Sequence, residues 1–278
     1  MWVDVSDSAS AKTASAAAPW WGESELTPGA MRAWRIGPFQ LWVRAQAHEW
    51  RLWNAASGDT MARELVLGAE AQDGEVPGDA AVTRVGLSSR PPVLRLWPAL
   101  ADRDVVVRPD IPAVVPAGVR LELFVTTPVW ITARAGADGP VLLDEPSHRL
   151  SDTWFGPNTL QGELAYAIRT SARLELDELP RRPHRAITKV TVVNGARDAL
   201  PLDKLKVPVT GLRIYASADE GLWTDNVTLE RTLQGAQAEA AIGSGPEVPG
   251  LSTVQIAGPR VTTSPRFSLN AFGRLFGV

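Results

Sequence analysis

The chain has 278 residues, 45% hydrophobic and 21% charged, and a formal net charge of −3. That apolar share can build a core and excludes wholesale disorder, and an acidic balance with no basic stripe speaks against nucleic acid as the main ligand. The complete lack of Cys removes disulfides, thiolate metal ligands and Cys nucleophiles together.

Residues 1–18 are rich in Ala and Ser, show no periodicity and read as a disordered lead-in. Asp4 and Asp7 precede the first Lys and no apolar stretch is sustained, so the segment does not read as a signal peptide. No run reaches the roughly 18 apolar residues of a membrane-spanning helix, and a cytoplasmic location is expected. Structure is predicted to begin at PWWGE, residues 19–23. From there apolar residues recur with period two: Trp34 and Ile36, then Phe39, Leu41 and Val43, then Trp50 and Leu52 across a short hairpin link. The stretch DTMARELVLGAEAQ is ambiguous, because Asp59 could cap a helix while ELVLGA would serve equally as a strand. Residues 82–134 read as the strands VTRVGLS, VLRLWPA, DVVVRP, GVRLELFV and PVWITARA, punctuated by PAG and TTP. Eight of the eleven Trp fall in the first hundred residues. Facing sheets need bulky inner residues, which assigns most Trp to the core, with Trp20, Trp21 and Trp42 as the expected exceptions.

Between Asp138 and Pro157 the chain becomes rich in Gly, Pro, Asp and Ser, the signature of a boundary. Beyond it, GELAYAIRTSARLELDEL sets Leu164, Tyr166, Ile168, Ala172, Leu174 and Leu176 against polar alternates and predicts one long strand. AITKVTVV, LPLDKLKVPV, GLRIYAS, LWTDNVTLER and AQAEAAI continue the series, and an apolar tail closes it.

WWGESEL, WRIGPFQLWV, LRLWPALADRDVVVRP, PAGVRLELFVTTPVWI, HRLSDTWFGPNTLQGELAYA and LWTDNVTLER together resemble an uncharacterised prokaryotic family. It is the domain-of-unknown-function family numbered four hundred and thirty-two, and the resemblance spans roughly residues 19–235. LSDTWFG followed by GELAYA is its most specific piece. The resemblance implies no established activity and no catalytic residues to transfer. It carries a loose association with genomic neighbourhoods that contain small-conductance mechanosensitive channels.

Four groups of residues invite a functional reading. His148, Asp152, Glu163 and His184 could supply a general base, an orienting carboxylate and an acid for a hydrolase or metal-dependent enzyme. Against this, Ser151 and Asp152 suit turns, and Trp154, Phe155 and Gly156 would form a structural corner whose two aromatics plug an apolar gap. The corner accounts for more of these residues. RRPHR places Arg181, Arg182 and Arg185 where guanidinium forks could bind an anion, although Glu175, Asp177 and Glu178 offer local pairing. The apolar tail carries Phe267, Leu269, Phe272 and Phe276 as binding candidates; as a helix from Ser268 it would put Leu269, Phe272 and Phe276 on one side, either presenting a partner surface or folding back over a sheet edge.

These features predict an all-β protein of two associated β-sandwich-like halves, the second immunoglobulin-like, with short flexible termini. The expected organisation is a lead-in at 1–18, a Trp-rich β domain at 19–140, a β-sandwich domain at 146–243, and a linker with apolar tail at 244–278. The expected function is a non-enzymatic cytoplasmic binding or accessory protein, acting through a protein partner or self-association via the tail or an edge strand, with no cofactor and no metal. The alternatives are the enzyme built on His148, Asp152, Glu163 and His184, and a carbohydrate-binding module using exposed Trp.

Overall fold

A computed structural model describes residues 19–273, apart from 87–92, 157, 159, 171, 219–220 and 234–236. The lead-in at 1–18 therefore lies outside the described residues. Twenty-four strands and three single 3-10 turns make up the described secondary structure, an all-β, sandwich-like fold of several sheets.

The period-two pattern of the first hundred residues becomes one antiparallel sheet, ordered Leu65–Ala71, Met31–Ile36, Phe39–Ala45, Glu49–Ala56, Ala81–Gly86. Trp34, Ile36, Phe39, Leu41, Val43, Trp50 and Leu52 are all buried, as the alternation predicts. The ambiguous ELVLGA is a strand. Its Gly68 has φ of +62° and lies under the Trp34 indole, 3.5 Å from where a Cβ would stand, beside a register shift between Ala33 and Arg35. A left-handed residue at a bulge is a position for glycine.

Three of the described sheets join strands from either side of the turn-rich stretch, the smallest pairing Ala113–Val115 with Leu200–Leu202. The strand Arg120–Pro128 pairs antiparallel with Arg185–Asn194 over nine residue pairs. The strand Glu163–Thr170 runs parallel to Val105–Pro109, which in turn pairs with Lys204–Val207. A single apolar cluster runs from Trp20 to Phe272.

Four expectations are corrected. Trp20 and Trp42 are buried: the Trp20 indole donates to the Pro183 carbonyl at 2.8 Å, and Trp42 stands opposite Trp53 in the sheet register. The long strand from Glu163 stops at Thr170, and Leu176–Glu178 is a 3-10 turn, because acidic residues and a following Pro180 suit a ladder poorly. Within the strand Ala165 is the fully buried residue, while Leu164 is 46% exposed.

The tail is a strand, not a helix. Arg266–Asn270 adds to Gln237–Ile242, setting Phe267 opposite Ala240 and Leu269 opposite Ala238. The small buried Ala side chains leave room that the large tail side chains cover. Phe272 is buried beside Leu205, and Phe267 and Leu269 pack on the main core, so all three are committed to their own chain. Phe276 lies outside the described residues.

The segment SHRLSDTWFGPNTLQGELAYA forms a hairpin in which Ser151–Phe155 pairs with Glu163–Thr170. Successive strand residues face opposite sides, so Trp154 and Phe155 cannot both plug one gap. Phe155 is buried with Val106 and Ala165, whereas Trp154 is 50% exposed and donates its indole N–H to the Asn158 carbonyl at 3.0 Å. The Asn158 side-chain oxygen accepts from the Leu160 and Gln161 amides and shapes the turn. Gly156 has no room for a side chain, since a Cβ would lie 2.1 Å from the Gln161 carbonyl oxygen. Phe155→Ala should therefore cost about 3–5 kcal/mol in urea unfolding and Trp154→Ala much less. The reverse order would contradict this placement.

Candidate functional site

The chain between the 3-10 turn and the strand Arg185–Asn194 reads LPRRPH, and its two prolines cannot extend a ladder. It is held from several sides. The Trp20 indole grips the Pro183 carbonyl, the Val129 amide donates to the His184 carbonyl at 3.0 Å, and the Arg185 amide closes a turn on Arg182 at 3.2 Å. The Ser147 amide donates to Val129 at 2.9 Å, which brings the His148 segment alongside.

His148 and His184 consequently meet, with ring centroids 6.1 Å apart and planes nearly perpendicular. His184 is fully buried, its ring over Gly37, and its Nε2 lies 3.3 Å from the Thr60 carbonyl oxygen. Nδ1 of each ring is buried without a hydrogen-bond partner. Burial first, and the adjacent Arg185 charge second, push His148 down to about 4 and His184 down to about 3. Both are neutral imidazoles at pH 7.

In front of them opens a pocket of about 260 Å3, walled by Met61, Leu179 and Pro180 and lined by Arg169, Arg182 and Arg185. Arg185 is 7% exposed; its Nε donates to Thr126 Oγ1 at 3.0 Å and its Nη2 to the Thr126 carbonyl at 2.8 Å. Burial and the neighbouring Arg182 push it down to about 10. Arg182 is also lowered, by burial and then by Arg63, and its Nε is buried with no partner. Arg169 reaches the pocket from the end of the strand Glu163–Thr170. Asp110 and Thr60 complete the lining. Among the described residues no carboxylate forms an ion pair with Arg169, Arg182 or Arg185, although the Asp59 charge partly offsets Arg63 at Arg182. Three guanidinium groups in a partly buried site with Asp110 as the one carboxylate of the lining oppose folding.

The remaining sequence candidates lie elsewhere. Asp152 pairs with Arg103 at 3.0 Å in a separate groove lined by Trp130, Tyr166 and Glu145. Glu163 pairs with the buried Lys206, which also faces Asp104 at 3.7 Å. The four-residue constellation is thus split: the two His meet, and the two carboxylates are engaged by other cations. Among the described residues no group of three or more His, Asp or Glu could hold a metal ion. Arg181 is exposed and lines a neighbouring cleft with Trp20 and Trp21. No helix among the described residues is long and apolar enough to cross a membrane. RRPHR was the visible part of the pocket; Arg169, Thr60 and Met61 join it only through tertiary structure, with no local signal.

The sequence profile described as protein of unknown function DUF432 matches residues 20–276. The chain belongs to this family. Neither a curated protein nor a solved structure matches it. Membership in DUF432 brings no residue roles with it, so the chemistry of the pocket rests on the side chains that line it.

The His pair makes stability depend on pH. Unfolded, each imidazole titrates near 6.5; folded, they titrate near 4 and 3. The unfolded chain therefore binds the extra protons as pH falls below 6.5. The stabilisation is complete above that pH and is lost on the way down to 4, on the order of a few kcal/mol. Urea unfolding at pH 7.5 and pH 5 should show this loss. A His148→Gln/His184→Gln variant should have a flatter profile, and parallel profiles would contradict the assignment.

Proposed function

We propose that the chain is a non-enzymatic binding protein that captures an anionic group between Arg169, Arg182 and Arg185. The observation that carries this reading is Arg185: nearly buried, facing a pocket, beside a second guanidinium, and without a carboxylate partner. A buried charge is usually compensated, and guanidinium forks match carboxylate and phosphate oxygens. A pocket of about 260 Å3 suits a small ligand or a single charged group. The binding role moves to this pocket from the C-terminal tail, whose described aromatics are spent on their own core.

The two carboxylates that could have served the buried imidazoles, Asp152 and Glu163, are paired with Arg103 and Lys206 instead, which favours binding over catalysis. Thr60 and Thr126 add polar groups to the lining.

Thermal unfolding in rising phosphate, at constant ionic strength set with chloride, tests the reading. Ligand at a hundredfold excess over Kd stabilises by about 2.7 kcal/mol, which is several degrees in Tm for a chain of this size. The shift should vanish in Arg182→Met. No shift with phosphate, sulfate or acetate would sink the proposal.

A further inference from the structure

We infer that the anion this pocket is built for is a dianion, and specifically a phosphate monoester with a small organic group. The inference rests on the binding function proposed above and narrows it to one ligand class.

The charge count is the first argument. Arg169, Arg182 and Arg185 face the pocket with one carboxylate, Asp110, in its lining, an excess of two positive charges. Asp110 is itself engaged in an interaction of its own. His148 and His184 lie behind Arg185 and are neutral, and Arg63 and Asp59, the other charges facing Arg182, offset each other. A carboxylate would leave one positive charge uncompensated in a partly buried site. A monoester phosphate, which carries close to two negative charges at neutral pH, balances it.

Donor geometry is the second argument. The guanidinium groups come from three separate places: the end of one strand (Arg169), a loop (Arg182) and the start of another strand (Arg185). A carboxylate presents two oxygens whose acceptor sites lie in one plane. A phosphoryl group presents three terminal oxygens in a tetrahedron and can accept from three directions. Arg185 spends Nε and one Nη2 hydrogen on Thr126, leaving Nη1 for a ligand, and Arg182 Nε has no partner at all.

The third argument is shape. Met61, Leu179 and Pro180 form an apolar wall beside the arginines. A bare ion would leave that wall idle, whereas the alkyl or sugar portion of a monoester would cover it. The chain's net charge of −3 and a cationic pocket this small do not fit a polyanion such as nucleic acid.

Isothermal titration at pH 7.5 with methyl phosphate, dimethyl phosphate and acetate tests this. Methyl phosphate should bind at least about tenfold more tightly than either monoanion, because its charge and its third oxygen engage all three guanidinium groups. The exposed Arg169→Gln should fold normally and erase most of that preference, and Arg182→Met should weaken every anion. If dimethyl phosphate or acetate binds as well as methyl phosphate, the dianion assignment is wrong while the anion-binding function stands. If none binds, both fall together.

Discussion

The strand Arg185–Asn194 carries the architecture. Arg120–Pro128 lies along one side of it for nine residue pairs, and Leu222–Thr224 and Val227–Arg231 run parallel on its other side. Its inward residues Ala186, Val190 and Val192 join the main core, and Ile187 joins the second cluster around Trp223 and Tyr215. Its register with Arg120–Pro128 also fixes where its first residue points. Arg185 is delivered to Thr126, which holds its guanidinium by two hydrogen bonds. The best-anchored strand in the molecule thus begins with the charge that the pocket is built around.

That charge is held in place but not neutralised. Several cations elsewhere are closely paired: Arg213 with the fully buried Asp225, Arg260 with Asp144, and Lys206 with Glu163 and Asp104. At the pocket the Arg182 charge, after burial, lowers the affinity of Arg185 for its proton, and Arg63 does the same to Arg182. A partly buried arginine cluster without an ion pair gives up stability to the fold. Sites that give up stability in this way are commonly functional.

Strand content was legible because side-chain alternation is a local property. Trp34, Phe39, Leu41 and Trp50 announce an inner face in sequence, and that face is the inner face of a sheet. Pairing across long separations was not legible, since nothing local in GVRLELFV names AITKVTVV as its neighbour. Trp154 was misplaced because two adjacent aromatics were assigned to one gap that strand geometry allows only one of them to fill. The tail was misread as helical because its spacing suits either state, and the small Ala238 and Ala240 that accept its side chains as a strand lie some thirty residues upstream. The site was half visible. RRPHR marked Arg182 and Arg185, and the meeting of His148 with His184 was an option that adjacent segments could realise. Arg169 and Thr60 arrive only through folding.

The central claim is that Arg182 is kept for a ligand and contributes nothing to the fold. Its guanidinium makes no hydrogen bond and no ion pair among the described residues, while Met would keep much of its apolar stem. The most direct measurement is the unfolding free energy of Arg182→Met against the natural chain in low-salt buffer free of multivalent anions. The account predicts that the variant is as stable as the natural chain or more so, because a like-charge contact has been removed. A loss of about 3 kcal/mol or more, the mark of a broken buried pair, would show that Arg182 is structural and contradict the account.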